Sequence, residues 1–203
     1  MTTIDTKIVH IVDDEREIRD SLSVLLRSIR FEPKPWKSGT DFLNGFRSAQ
    51  AGCVLLDVCM PGADGFLVQE ELASESHLFP IIMISAHGDT ARAVQAIRGG
   101  ARDFLSKPFT RHQLEDALTE AQNWADDSKF RARLALVSKA RLAKLNAHER
   151  EILMLMSQGH SERLIAFVLG LPLDDVEICR ELIFLKLEVS RTASAVRVLL
   201  DAE

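Results

Sequence analysis

Acids, a hydroxyl and a lysine recur at the ends of apolar runs through the first half of the chain. Asp13 and Asp14 follow KIVHIV, Asp57 closes CVLLD, Ser85 closes PIIMIS, and Lys107 follows DFLS. Each run has the length and the apolar content of a buried strand. In a parallel sheet these four features would meet at the carboxyl ends of the strands, where α/β folds place ligands. Carboxylates beside a lysine and a hydroxyl suit a hard cation and a transferred phosphoryl group. Mg²⁺ takes oxygen ligands and keeps several waters, so two or three carboxylates suffice. A carboxylate can serve as nucleophile and become an aspartyl phosphate, and lysine supplies a point charge for the phosphate. Taken singly, each residue has a plainer role. Asp13 and Asp14 could start the helix that follows, and Lys107 before Pro108 could be an ordinary loop lysine. Asp57 is harder to dismiss, because a carboxylate after CVLL is costly in a core unless paired or metal-bound. The joint placement carries the reading.

The elements that must position these residues alternate. Strands are predicted at Lys7–Val12, Phe31–Trp36, Cys53–Leu56, Pro80–Ile84 and Asp103–Leu105. Pro33 and Pro35 suit an edge for the second. Ile18, Leu22, Leu25, Leu26 and Ile29 recur at helical spacing after the first strand. Further helices are predicted over Ser38–Ala49, Gly65–Ala73, Thr90–Arg98 behind an Asp89 cap, and Arg111–Trp124 behind a Thr110–Gln113 capping box. Five βα units imply a parallel sheet covered on both faces. Two enzyme classes fail on spacing. VDDERE stands where a dinucleotide fold needs GxGxxG, and Cys59 stands where an aspartyl phosphohydrolase usually carries a second acid. The chain is therefore not read as an enzyme. The six histidines are scattered, with His10 in a strand and His87 in a loop, and indicate no zinc site.

IVDDE, LLDVCMPGADG, MISAHGD and DFLSKPF resemble the four motifs of two-component receiver domains, in order and at the expected strand ends over residues 7–124. The resemblance implies a flavodoxin-like (βα)5 fold in which Asp57 accepts phosphate from a sensor histidine kinase. It implies that Asp14 and Asp57 ligate Mg²⁺ with the Cys59 carbonyl while Asp13 reaches the ion through water. Lys107 would pair with the phosphate, Ser85 would hydrogen-bond a phosphoryl oxygen, and Phe104 would be the aromatic that follows that movement. Homodimerisation on phosphorylation is the family expectation. The Lys107–Pro108 bond is a place where a cis peptide is cheap.

After Trp124 the composition shifts. ADDSKFRARLALVSKARLAKL is charged and helix-favouring, a connecting helix either continuous with the preceding one or kinked near Asp126–Ser128. The division is thus residues 1–124, a linker over 125–143, and 144–203. In the last segment four helices are predicted, capped by Asn146, Ser161, Asp174 and Thr192, with Gly159 and Gly170 as stops. LNAHEREIL, the SQGHS turn and IAFVLG resemble the all-α, four-helix LuxR-type DNA-binding domain of the FixJ/NarL class of response regulators. The resemblance makes Arg163, Arg180 and Lys186 the candidate DNA contacts. Leu171–Ser190 is the recognition helix of that scheme, yet it holds five acids against two bases. Asp175 stands where the family usually has threonine, Cys179 where it often has histidine, and Leu182 where it prefers a polar residue. Carboxylates oppose phosphate contacts, although Asp174 with Glu177 would form a capping box. Two outputs stay open: phosphorylation-controlled transcription, or a phosphoacceptor component whose last domain binds protein.

The 203-residue chain is 46% hydrophobic and 27% charged, as in globular proteins that build a core without disulfides. Its net charge of −5 offers no global attraction to nucleic acid, so DNA binding needs a local patch. Three cysteines in apolar runs point to a reducing cytoplasm. No stretch reaches the roughly 20 apolar residues of a membrane span, and the N-terminus lacks an apolar signal core.

Overall fold

A computed structural model of the chain describes residues 7–86, 90–126 and 128–202. The expected Asp89 cap and His87 lie outside them. The chain divides into two compact units: Met1–His87 with Gly99–Asp126, and Gly88–Arg98 with Asp127–Glu203.

The first unit holds β1 (Ile8–Val12), α1 (Arg16–Ser28), β2 (Glu32–Trp36), α2 (Gly39–Gly45), β3 (Cys53–Asp57), α3 (Gly65–Glu71), β4 (Ile81–Ser85), β5 (Asp103–Ser106) and, after α4 (Thr90–Arg98) in sequence, α5 (Arg111–Asp126). The five strands form one parallel sheet in the order β2-β1-β3-β4-β5, a flavodoxin-like arrangement. Strands buried on both faces read as near-continuous apolar runs, and β3 and β4 are buried at every position. The proline-bearing β2 lies at an edge, where missing N–H donors cost little. On one face Val9, Ile11, Leu55, Ile82 and Ile84 pack with Leu22 and Leu26 of α1 and Leu114 and Leu118 of α5. Period-2 alternation sends His10 to the other face, among Trp36, Phe42 and Phe79. Thr110 and Gln113 do form the reciprocal cap of α5.

In the second unit α6 (Ser128–Ala143) precedes α7 (Ala147–Ser157), α8 (Glu162–Leu169), α9 (Leu173–Leu187) and α10 (Thr192–Asp201). Ile152, Leu153, Ile165, Val176, Ile183 and Leu187 centre its core. Asn146 and Glu149 form a full capping box, Ser161 caps α8, and Gly170 ends α8 at φ +66°, where a side chain would be strained. Two expected caps are corrected. Pro172 occupies the N-cap of α9 and Asp174 lies inside the first turn, because Leu173 packs against the core and takes the first helical position. The Asp174 charge there meets the helix field without closing an N–H. Likewise Arg191, not Thr192, is the residue before α10, and no side chain caps it.

Candidate functional site

The sheet brings its carboxyl-end residues together as the spacing required. Asp13 leaves β1 and Asp57 ends β3, pairing in register with Ile84 beside Ser85. Lys107 leaves β5 next to Ser85, to whose carbonyl its own N–H donates at 2.8 Å. The Lys107–Pro108 bond is cis. Gly65 lets the start of α3 lie against the strand end, since a Cβ there would sit 2.5 Å from the Asp57 carbonyl oxygen.

The Lys107 ammonium lies between two buried carboxylates, donating to Asp13 Oδ2 at 2.9 Å and to Asp57 Oδ1 at 2.8 Å. Backbone N–H groups hold the remaining oxygens: Glu15 donates to Asp13 Oδ1 and Cys59 to Asp57 Oδ2, both at 2.8 Å. Burial pushes the Asp57 carboxyl above its ordinary value, the bond and charge of Lys107 pull it back, and Asp13 raises it again. Burial also works against the Lys107 charge, but Asp57 and Asp13 outweigh it and hold the ammonium protonated. One cation thus balances two acids, a third carboxylate stands exposed at Asp14, and the surplus is negative. Such an oxygen-rich surplus suits a divalent ion that keeps much of its water. Among the described residues no three His, Cys, Asp or Glu side chains are gathered as a metal cluster, so carbonyl and water oxygens would have to complete any ligand set.

Ser85 is fully buried at the end of β4, and Phe104 is buried on β5 in register with Met83. Sequence reasoning missed Arg19, whose Nη1 donates to the carbonyls of both Asp13 and Asp14 at 2.8 Å and so fixes the acid loop. Its place on the first turn of α1 was the available signal.

The candidate DNA contacts are placed differently. Arg163 is exposed on α8. Arg180 pairs with Glu162, and its Nη2 with Glu181 at 2.6 Å. Lys186 donates to both oxygens of buried Glu149 at 2.6 and 2.7 Å. Burial penalises the Glu149 charge, yet Lys186 and the Asn146 N–H hold its carboxyl below the usual range. Both bases of α9 therefore spend their charge inside the unit, and their acid partners on α7 and α8 gave no sequence signal beyond helix caps.

The model of the response regulator receiver domain matches residues 9–119. The chain is 37% identical over 191 residues to the response regulator protein TmoT of Ectopseudomonas mendocina, covering 94% of this chain and 87% of that one. It is 31% identical to full-length FixJ from B. japonicum in the crystal, with a TM-score of 0.58 and 97% of each chain covered. The response regulator TrrA of Thermotoga maritima, solved in complex with Mg(2+)-BeF, matches 57% of this chain and 99% of its own at 26% identity and a TM-score of 0.52.

Proposed function

Because the chain belongs to the response regulators, with a receiver match over residues 9–119 and relatives similar along nearly its whole length, we propose that Asp57 is its phosphoacceptor. An Asp57 carboxylate oxygen attacks the phosphorus of a histidine kinase's phosphoimidazole. The P–N bond breaks, and the departing imidazole keeps the electron pair and takes a proton. Preorganised positive charge near the transferring oxygens is the main catalytic term in such steps, and Lys107, whose ammonium lies 2.8 Å from Asp57 Oδ1, supplies it. Asp13, Asp14 and Asp57 with the Cys59 carbonyl would hold Mg²⁺, which when bound neutralises phosphoryl charge. Ser85 receives a phosphoryl oxygen, and Phe104 follows the shift on the neighbouring strand.

The observation that supports this reading is the single ammonium set between two buried carboxylates at the strand ends. The test is intact mass after incubation with a small phosphodonor and Mg²⁺. One phosphoryl group is expected on the wild-type chain and none on Asp57→Asn. Labelling of the variant at the wild-type rate would overturn the assignment.

The output reading is transcriptional control in the cytoplasm, with dimerisation on phosphorylation. Two relatives that match 94% and 96% of this chain carry the name transcriptional regulatory protein. With Arg180 and Lys186 committed inside the unit, Arg163 is the exposed base of the three. DNA affinity should then fall only gently with salt, since the slope counts neutralised phosphates. A salt-titrated binding assay on the chain's own upstream DNA reads that slope directly, and a steep one would refute it.

A further inference from the structure

Three helices of the second unit are built with apolar side chains on more than one side. On α10 the apolar residues gather toward one side, whereas on α6 and α9 they are spread around the axis, and α8 exposes Leu164, Phe167 and Val168 beside its buried Ile165 and Ala166. A helix needs one such face to dock on its own core; the surplus face is unexplained by the unit's packing. On α9 the surplus is a stripe at i, i+4, i+7: Ile178, Leu182 and Leu185, exposed by 59%, 42% and 74%. On α6 it is a shorter row, Leu136 at 70% and Val137 at 38% exposure followed one turn later by exposed Ala140. Isolated exposed apolar residues need no account, but ordered stripes mark contact surfaces.

The charges beside the two stripes are opposite. Asp174, Asp175, Glu177 and Glu181 are exposed along α9, while Arg133 and Lys139 are exposed along α6. The same match already operates within one chain at the end of α9, where Arg141 and Lys144 of the α6 region donate to Glu188 at 3.0 and 2.8 Å. Since both stripes are exposed in the same chain, they do not cover each other.

We propose that the α9 stripe of one copy docks on the α6 stripe of a second copy, and reciprocally, in a two-fold dimer of the unphosphorylated chain. Two-fold pairing makes the contact twice, which a small interface needs. Docking of α9 on protein and reading of DNA by α9, as in the output reading above, exclude each other, so this dimer is silent toward DNA. The surface lies within the second unit and includes no residue of the Asp57 site.

The experiment is sedimentation of the full-length chain, with no phosphodonor, across a concentration series. The wild type should pass from monomer to dimer in the micromolar range. Leu185→Glu and Leu136→Glu alter exposed positions, and circular dichroism checks that each variant folds. A contact weakened about tenfold weakens the dimer about a hundredfold, because it occurs twice. An equimolar mixture of the two variants should recover all but about tenfold of the wild-type association, because one wild-type α6 then meets one wild-type α9. A wild-type chain that stays monomeric, a dimer indifferent to both changes, or a mixture no better than either variant alone overturns the proposal. Species that keep growing past the dimer also overturn it, since they mean open head-to-tail contacts. Loss of binding to a duplex by Leu185→Glu with unchanged mass would assign the stripe to DNA instead.

Discussion

Lys107→Met removes the cation that stands between Asp13 and Asp57 while keeping most of its stem. What is lost is charge and two hydrogen bonds, at 2.9 and 2.8 Å, with little loss of packing. Asp13 is fully buried and Asp57 nearly so, so water cannot fully replace the ammonium. Removing one partner of a buried ion pair costs about 3–5 kcal/mol. The Lys107 side chain is 18% exposed, which admits some water at the mouth of the site and puts the expectation near about 3 kcal/mol. For a unit of this size that lowers the melting midpoint by roughly 10–15 °C. The informative arm is the same substitution in Asp57→Asn. With one acid neutralised, Asp13 no longer faces a second buried charge, and the cost of losing Lys107 should shrink by about 1–3 kcal/mol. Urea unfolding of the four proteins at neutral pH, followed by the fluorescence of Trp36 and Trp124, measures the cycle; both tryptophans belong to the first unit. The pH dependence has a definite sign. A carboxyl whose folded pKa is raised, as at Asp57, contributes stability that is gained as pH falls through the folded value. Lys107→Met should therefore recover part of its deficit on acidification. An equal cost of Lys107→Met in both backgrounds would mean that the ammonium does not balance the acid pair, and the site argument would fail.

His10 is held neutral: Trp36 Nε1–H donates to its Nδ1 at 3.1 Å and its Nε2 faces the Gln50 carbonyl at 2.9 Å. Burial lowers its pKa below the ordinary 6.5, the Gln50 carbonyl partly opposes this, and the Lys34 charge adds to the lowering. Stability of the first unit should then fall as pH drops below 6.5 toward the folded value, opposite in sign to Asp57. His10→Phe should flatten that limb in urea titrations at matched pH, and an unchanged limb would exclude His10 as its source. Lys186→Met should destabilise the second unit by about 3 kcal/mol, because it strands buried Glu149; thermal melts read the loss, and a cost below about 1 kcal/mol would mean the pair is dispensable. Asn146→Ala should cost about 1 kcal/mol through the lost capping box, while Asp174→Ala should stay within about 0.5 kcal/mol because it closes no cap. Equal costs in urea titrations followed by helical circular dichroism would reinstate Asp174 as the cap.

The receiver half was legible because its information is local and redundant. An apolar run in a doubly covered parallel strand can hardly be read otherwise, and a charged residue at its end must point out of the sheet's carboxyl edge. Asp57 after CVLL and Lys107 after DFLS are thus fixed by strand ends alone. The reach of the Lys107 ammonium to both Asp13 and Asp57 is not fixed that way. It depends on pairings 94 and 50 residues apart in sequence, which periodicity does not encode. Helix starts were less legible for a similar reason. Asp174 has the composition of an N-cap, but the position of Leu173 in the core decides where the helix begins, and that is a tertiary fact. Arg19 was missed because its place on the first turn of α1 was its sole signal, and that place alone does not separate a solvated helix arginine from one turned back to the Asp13 and Asp14 carbonyls.

The output half shows why a count of bases is not a count of DNA contacts. Arg180 and Lys186 occupy positions that resemble those of a groove-facing helix, and sequence alone presents them as free charge. Folded, each is bound to acids of the same unit: Lys186 closes on the buried Glu149 that also caps α7, and Arg180 ties α9 to Glu162 at the start of α8. Moving either base to a phosphate would leave a carboxylate with less charge compensation, and for Glu149 that carboxylate is buried. The exposed side of α9 is then acidic with an apolar stripe, which repels a polyanion and suits a basic, partly apolar partner. Acids and leucines together argue for a changed partner more strongly than either alone. Acids at a helix start have a ready explanation in the helix field, but Leu182 and Leu185, two turns further on, gain nothing from that field, and Leu185 at 74% exposure has little to hold it in place unless something covers it.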